Sequence, residues 1–226
     1  MNYNYIAILD YEHLDNGIFL NAFAQALSQQ ENTRAIVIHG DSAYTDRLIQ
    51  TGIVREDAKL RAIKGLNHRL ITLLADHAVA TIGINGYQRG LIAEKNGQLH
   101  VDTSQLKQLP REPLLLLSNL IQTDTQKKPR PLPLPEYARL LKSTLDIEDV
   151  YIFNLDEKSE WIKAGNPDQI LYGNLESGFA EQHIPKEFRN VPISCHLTTA
   201  RQFAGFPDKT RTTYIKSGDD EQNNWN

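Results

Sequence analysis

Short, uninterrupted apolar runs alternate along this chain with segments in which apolar residues recur every three or four positions. A compact apolar run predicts a buried strand, and the three-to-four spacing predicts an amphipathic helix. On this basis strands are predicted at 5–9, 35–38, 78–84, 113–121 and 150–155. Helices are predicted after Asp15-Asn16-Gly17 and over 43–50, 58–75 and 135–145.

This alternation of strands and helices predicts an α/β fold with a mainly parallel sheet that helices cover on both faces. In sheets of this kind, ligands bind at the carboxyl ends of the strands. The loops after Leu9, Ile38, Ile84 and Leu155 therefore form the candidate functional edge.

Three segments fall outside the alternation. The apolar stretches 91–93 and 99–101 flank Lys95-Asn96-Gly97, which predicts a β-hairpin. The segment 127–137 carries alternating prolines, which lack a backbone donor, so an extended connector is expected there, with a docking peptide as the alternative. The polar residues 217–226 are expected to form a disordered tail.

Composition limits the class of function. The 226 residues are 40% hydrophobic and 23% charged, which is ordinary for a globular protein with a full core. Their net charge of -4 provides no basic surface, so neither nucleic acid nor an acidic membrane is an expected partner. Apolar runs such as 5–9 and 114–117 are far shorter than the roughly 20 residues that a membrane-spanning helix needs.

Cysteine usage and the first residues favour a reducing compartment. Cys195 is the only cysteine, so no internal disulfide can form and a cytoplasmic location is expected. The opening residues lack the basic region of a signal peptide. Cys195 and His196 are neighbours on a predicted strand and would face opposite sides, so thiol catalysis is not expected. The histidines show no metal-ligand spacing.

The order of these elements resembles the amino acid kinase family, most closely its N-acetylglutamate kinase branch. KGLNHRLITLLADHAVATIGINGYQRGLI, at 64–92, is similar to the family's asparagine-bearing helix and the strand and glycine turn that follow it. VIHG at 37–40 is similar to the start of its glycine loop, and TGIVREDA at 51–58 to the segment whose arginine contacts the substrate carboxylate. DIEDVYIFNLDE at 146–157 and FPDKTRTTYI at 206–215 are similar to its later strands.

This resemblance implies a three-layer α/β/α sandwich with a mainly parallel open sheet. It implies one domain over 1–216, with an acceptor-binding lobe at 1–112 and a nucleotide-binding lobe at 113–216. Members of the family transfer the γ-phosphoryl group of ATP, with Mg²⁺, to a small carboxylate or phosphate. They are usually homodimers, paired through the region that corresponds to 58–84.

The phosphate-binding motifs of the family are altered in this chain. Ile8-Leu9-Asp10-Tyr11 replaces a lysine and paired glycines, and Gly40-Asp41-Ser42 replaces a run of three glycines. Glycines are used there because backbone N–H groups can close on a phosphate only where side chains do not intrude. The family's Asn-x-Asp motif falls on PLPLPEYA and is absent. Each change removes phosphate-binding capacity.

The candidate site residues follow from these positions, and no catalytic residue is assigned. Ligand-binding candidates are His39, Gly40, Asp41, Ser42, Arg55, Asn85 and Gly86, with Arg55 as either the carboxylate contact or a solvated charge at the start of a helix. Candidates on the nucleotide side are Asp156, Lys186 and Lys209. Asp10, Asp41 and Asp156 all follow predicted strands and could hold Mg²⁺, but capping of loops and helices is the preferred interpretation of these carboxylates, and no metal site is assigned.

Two functions are open on this reasoning. The first is a degenerate family member, a pseudokinase that binds a small acidic metabolite or a partner subunit with little phosphoryl transfer and needs no cofactor. The second is a divergent but active acylglutamate-type kinase, as in arginine biosynthesis, that uses ATP, Mg²⁺ and Arg55, Lys186 or Lys209 in changed roles. The homodimer is expected for both.

Overall fold

The computed structural model describes residues 3–30, 33–110, 113–124, 128–156, 170–171, 177–189 and 193–217. The helices are α1 (Tyr11–Leu14), α2 (Gly17–Ser28), α3 (Tyr44–Gln50), α4 (Arg55–Asp76), α5 (Thr103–Gln108), α6 (Leu134–Leu145), α7 (Ser177–His183), α8 (Lys186–Arg189) and α9 (Ala200–Phe203), with a 3₁₀ turn at Gln88–Gly90. The strands are β1 (Tyr5–Leu9), β2 (Ala35–His39), β3 (Thr81–Asn85), β4 (Ile92–Lys95), β5 (Gln98–Val101), β6 (Leu114–Ser118), β7 (Leu120–Thr123), β8 (Arg130–Pro131), β9 (Asp149–Phe153), β10 (Ile170–Leu171), β11 (Cys195–Thr198) and β12 (Thr213–Lys216).

The main sheet has eight strands in the order β10-β12-β11-β9-β1-β2-β6-β3. The six strands from β11 to β3 run parallel, and β12 is antiparallel to β11. Leu9 lies opposite His39, and His39 lies opposite Ser118, so the carboxyl ends of β1, β2 and β6 are level with one another. This alignment brings the loops after these strands to one edge.

Successive side chains of the buried strands point to opposite faces of the sheet, so they pack into two cores, one on each face. On one face Ile6, Ile36 and Leu115 pack with Tyr137 and Leu141 of α6. On the other face alternate strand residues pack with α2, α4 and α9; these include Tyr5, Val37, Phe153, Phe23 and Phe203. The result is the α/β/α sandwich predicted from the alternation of elements.

A smaller four-stranded sheet, β5-β4-β7-β8, adjoins the main one. Its β4–β5 hairpin confirms the turn predicted at Asn96-Gly97, where both residues have positive φ, 51° and 75°. The predicted single strand over 113–121 is in fact two strands. Asn119 breaks it, because its N–H donates to the His39 carbonyl at 2.9 Å and the chain then leaves the main sheet.

Other boundaries differ from the expectation in ways that local contacts explain. α1 has no apolar periodicity of its own and was not predicted; it depends on the Asp10 side chain, which caps its first turn. The described part of the Pro-rich segment is extended only in its first half. Arg130–Pro131 forms β8, which pairs with β7, whereas α6 begins at Leu134, directly after Pro133. The expected tail beyond residue 217 lies outside the described residues. In the described part of the chain, no helix is long and apolar enough to cross a membrane.

Candidate functional site

Five loops meet at the carboxyl edge of the parallel strands. Asp10, Gly40, Asn119, Gly86 and Asn154 are the first residues after β1, β2, β6, β3 and β9, respectively. In a sheet of this type this edge is the position for a ligand, so the side chains there determine which ligands can be accepted.

The loop after β1 is closed by a buried ion pair. Asp10, which is fully buried, accepts hydrogen bonds from the backbone N–H groups of Glu12 (3.0 Å) and His13 (3.3 Å) at the start of α1. Its other oxygen lies 2.8 Å from Nδ1 of His13, and Nε2 of that ring lies 3.1 Å from the backbone oxygen of Asn154. Both ring nitrogens therefore face acceptors, and only the imidazolium can donate to both.

The charge state of His13 follows from this geometry. Burial by itself would lower the pKa of His13, but the hydrogen bond and the charge of Asp10 outweigh burial, and the pKa is raised. The ring is packed against Phe19 at 4.1 Å between centroids, so it has little freedom to turn away. The space after β1 is thus occupied by a capped helix and a paired carboxylate.

The loop after β2 is covered in a different way. A side chain at Gly40 would come within 3.2 Å of Asn119 Nδ2 and 3.4 Å of Leu134 Cδ1, so these two residues already lie against the glycine. His39 is fully buried, and burial lowers its pKa to about 4, so this ring is neutral at pH 7 and provides no charge for an anion. Within the described residues its Nε2 has no hydrogen-bond partner.

Asp41 and Ser42 organise the start of α3. One oxygen of Asp41 accepts from the Ser42 N–H (2.8 Å) and from the Thr45 hydroxyl, while Ser42 Oγ accepts from the Tyr44 N–H (3.2 Å). The other Asp41 oxygen is 3.8 Å from Nζ of Lys59, which reaches over from α4. The sequence reasoning did not identify Lys59, because it lies one helical turn after Arg55 and directly outside the segment 51–58 that suggested Arg55.

Negative charge accumulates where α8 approaches the same edge. The Lys186 N–H at the start of α8 donates to Oε1 of Glu12 (3.2 Å). Burial and the neighbouring Asp10 carboxylate both raise the pKa of Glu12. Asp156 follows β9, and its N–H donates to the Asn154 side chain (2.9 Å). Among the described residues, the edge therefore contains the carboxylates of Asp10, Glu12 and Asp41, and the ammonium group of Lys59 lies beside Asp41.

Solved structures show which fold this geometry belongs to. No protein-family model and no curated protein matches the sequence. An isopentenyl phosphate kinase superposes with a TM-score of 0.61 at 12% identity, covering 94% of this chain and 99% of that one. The N-acetylglutamate synthase of Neisseria gonorrhoeae, solved with coenzyme A and N-acetyl-glutamate, gives 0.61 at 17% identity over 93% of this chain and 58% of that one. The uridylate kinase of Archaeoglobus fulgidus gives 0.52 at 14% identity, covering 94% and 100%.

This chain has an amino-acid-kinase-like fold. The similarity, which confirms the fold expected from the sequence, extends over nearly the whole chain and includes kinases of different acceptors. The amino-acid-kinase-like fold accounts for the parallel six-strand core and for the meeting of five loops at one edge.

Within this amino-acid-kinase-like fold the predicted site residues separate into groups. His39, Gly40, Asp41 and Ser42 lie together at the edge, and Asp156 and Lys186 belong to elements that reach it. Lys209 does not join them. Its Nζ is 2.7 Å from Asp149, which begins β9 opposite Tyr5, so Lys209 is at the amino ends of the strands.

The remaining candidates have mainly local contacts. Arg55 is exposed at the first position of α4 and has no ion-pair partner among the described residues. Asn85 accepts from the Ser118 hydroxyl (2.9 Å). Gly86 is required for packing, since a Cβ there would be 2.6 Å from the Leu120 carbonyl oxygen and 2.7 Å from the Tyr137 hydroxyl.

A metal site formed by the three aspartates after the strands is not supported. Across the part of the chain that the structure describes, no three histidine, cysteine, aspartate or glutamate side chains are grouped to hold an ion. Asp10 and Asp41 instead use their oxygens on backbone N–H groups, a hydroxyl and neighbouring cations. Their roles are those of helix and loop caps.

Proposed function

We propose that this chain uses an amino-acid-kinase-like fold to bind a small acidic metabolite and transfers little or no phosphoryl group. The observation that carries the proposal is the closed loop after β1. A fully buried Asp10 caps α1 and pairs with His13 at the place where a phosphate would need free backbone N–H groups.

Phosphoryl transfer is mainly positioning and charge neutralisation, so it needs cations and unobstructed donors around the phosphates. At this edge the N–H groups of Glu12 and His13 are already bonded to Asp10, and Leu134 and Asn119 lie against Gly40. These contacts leave little of the side-chain-free lining that a nucleotide's phosphates require.

Charge opposes nucleotide binding as well. A phosphate oxygen about 4 Å from an ionised carboxylate such as Asp41 would be repelled by about 1 to 4 kcal/mol at the dielectric of a protein surface or of water. Glu12, whose pKa is already raised in part by Asp10, adds to this repulsion. The resemblance of the sequence to N-acetylglutamate kinase suggests an acidic ligand. The charge at this edge argues against the phosphoryl transfer that this branch performs.

One observation favours the alternative, a divergent active acylglutamate-type kinase. Lys59 places an ammonium group beside Asp41 at the edge, where it could take over the role of a missing lysine. Arg55 begins the same helix and remains a candidate for the acceptor carboxylate. This alternative requires the Asp10–His13 pair to open when ATP and Mg²⁺ bind.

Calorimetry and an ADP-release assay separate the two functions. We expect titration of the purified chain with Mg-ATP to give no saturable heat, and N-acetylglutamate with Mg-ATP to give no ADP above the protein-free rate. Asp41→Asn keeps the acceptor oxygen for Ser42 and Thr45 but removes the charge, and we still expect no binding, because Leu134 and Asn119 remain in place.

Saturable ATP binding with turnover would overturn the proposal. In that case Lys59→Gln tests the alternative, since loss of turnover with retained folding, measured by circular dichroism, would assign the transfer chemistry to this edge. Arg61→Gln is the matched control, because Arg61 is an exposed cation on the same helix.

A further inference from the structure

A cavity of about 680 Å³ lies between the 3₁₀ turn after β3 and helix α5. This volume is within the range of small-molecule sites in proteins. Its lining residues come from the end of β3, the turn and α5, and they are Ile84, Tyr87, Gln88, Arg89, Leu91, Gln105, Gln108 and Leu109. In the part of the chain that the structure describes, this lining contains one cation, three amides, a tyrosine and an apolar wall, and no carboxylate.

Arg89 is held at this cavity by a strained turn. Its φ of 55° is in the left-handed region, which costs an L-residue other than glycine about 1 to 2 kcal/mol. Two side chains support the turn: Gln105 Nε2 donates to the Arg89 carbonyl (2.9 Å), and Gln88 Oε1 accepts from the Asn85 N–H (2.7 Å). Strain of this kind persists where the surrounding structure enforces it, and it is concentrated at ligand sites.

The Arg89 guanidinium is available to a ligand. In the described ranges it has no ion-pair partner. The carboxylate of the neighbouring Asp102 caps α5, because it accepts hydrogen bonds from the N–H groups of Ser104 and Gln105. A guanidinium presents a fork that matches a carboxylate through two parallel hydrogen bonds.

The backbone of the turn distinguishes a carboxylate from a phosphate. The N–H groups of Gly90, Leu91 and Ile92 donate to carbonyl oxygens within the turn, at 3.1, 3.0 and 2.8 Å. A phosphate dianion needs a cluster of free N–H donors or several cations. Among the described lining residues, one guanidinium is the only charged group, and it neutralises one carboxylate.

The apolar wall selects the rest of the ligand. Ile84 and Leu109 are partly buried, so they present hydrocarbon to the cavity, and the almost fully buried Leu91 completes this apolar wall. An alkyl chain that leaves water to contact them gains about 25 cal/mol per Å² of apolar surface that becomes buried.

We infer that this cavity binds a small monocarboxylate with an apolar chain, with the carboxylate on Arg89 and the chain against Leu91 and Leu109. The inference rests on the proposed function, because it gives the acidic metabolite a site whose described lining does not include Asp10, Glu12 or Asp41.

The test uses hexanoate as the probe and the uncharged hexanamide as its matched ligand. Protein with labelled isoleucine, leucine and valine methyl groups is titrated in the NMR spectrometer. We expect saturable shifts confined to the methyl groups of Ile84, Leu91 and Leu109 with hexanoate, and binding about 10-fold weaker with hexanamide or with butyl phosphate.

Three variants locate the charge. Arg89→Asn tolerates the left-handed conformation and should weaken hexanoate binding about 10-fold or more. Arg89→Lys keeps the charge without the fork and should fall between this variant and the native chain. Lys107→Gln removes an exposed cation from α5 outside the lining and should change binding less than about 2-fold.

The outcomes separate this site from the proposed function. No saturable shift at the three methyl groups, or equal binding by Arg89→Asn and the native chain, would overturn the site. A carboxylate that binds elsewhere would leave the proposed function in place. ATP turnover in the earlier assay would overturn the function whatever hexanoate does.

Discussion

The Asp10–His13 pair is the residue-scale feature on which the structure of the candidate edge depends. Both side chains are almost completely buried, and the ring connects the start of α1 to the backbone of Asn154 after β9. Removing one member of such a pair is costly, because the other remains buried without its partner. The pair therefore contributes to stability and also keeps the edge closed.

Replacement of His13 by Asn should destabilise the protein in a pH-dependent way. The folded pKa of His13 is raised, so its contribution is complete below the unfolded value of about 6.5 and is lost as pH rises through the folded pKa. Urea unfolding should give a loss of about 3 kcal/mol near pH 5.5 and a smaller loss near pH 9.

His68→Asn provides the control for this experiment, since His68 is exposed on α4 and should show little loss at either pH. A loss for His13→Asn that is the same at both pH values would mean that folding does not raise the pKa of His13.

At the scale of elements, the crossing from β6 to β7 fixes the loops around Gly40 and Gly86. Asn119 donates its N–H to the His39 carbonyl (2.9 Å) and its side-chain amide to the Leu132 carbonyl (2.6 Å). The Tyr137 hydroxyl donates to the Ser118 carbonyl (3.0 Å), which brings α6 against the same crossing. These contacts place Leu134 against Gly40. Leu134 therefore covers the loop after β2 because of the way in which the chain passes from the main sheet to the smaller sheet.

Gly86→Ala tests how tight this crossing is. The new Cβ would be 2.6 Å from a backbone oxygen that cannot move freely, so we expect a destabilisation of about 1 to 3 kcal/mol in chemical denaturation.

The matched variant Gly65→Ala has open space in the interior of α4 and should be more stable by about 0.5 to 1 kcal/mol. A neutral Gly86→Ala would show that the crossing can relax, and Gly86 would then become a candidate for ligand contact again.

At the scale of the whole molecule, the sheet ends at β3, which pairs with β6 on one side only among the described strands. A free strand edge can add a strand from another chain unless it is covered. The resemblance to the family places a dimer contact over 58–84, which includes α4 and β3. We therefore propose that two copies of this chain associate through these elements.

Light scattering after gel filtration should give about twice the chain mass of 25.7 kDa. Thr81→Arg places a charge on β3 and should shift the protein toward the monomer at low concentration. Gln25→Arg, at an exposed position of α2 outside the proposed contact, controls for the added charge. A monomer at every concentration would contradict the proposed dimer.

The order and type of the main elements could be predicted from the pattern of apolar residues. Local burial imposes a period on the chain, so β1, β2, α2, α4, α6 and the hairpin at Asn96-Gly97 could be predicted at nearly their observed positions. The α/β class followed from their alternation. The residues that follow β1 and β2, Asp10-Tyr11 and Gly40-Asp41-Ser42, were also evident from the sequence alone.

Contacts between side chains that are distant in the sequence become visible only in the folded protein. Lys59 reaches Asp41 from another helix, Lys186 meets Glu12 across 174 positions, and Lys209 lies at the opposite end of the strands. The Arg89 cavity forms where a turn and a helix that follow different strands come together. No sequence period or spacing predicts these contacts, because each of them depends on how distant elements pack together. A pattern along the chain indicates only which residues of one element are buried.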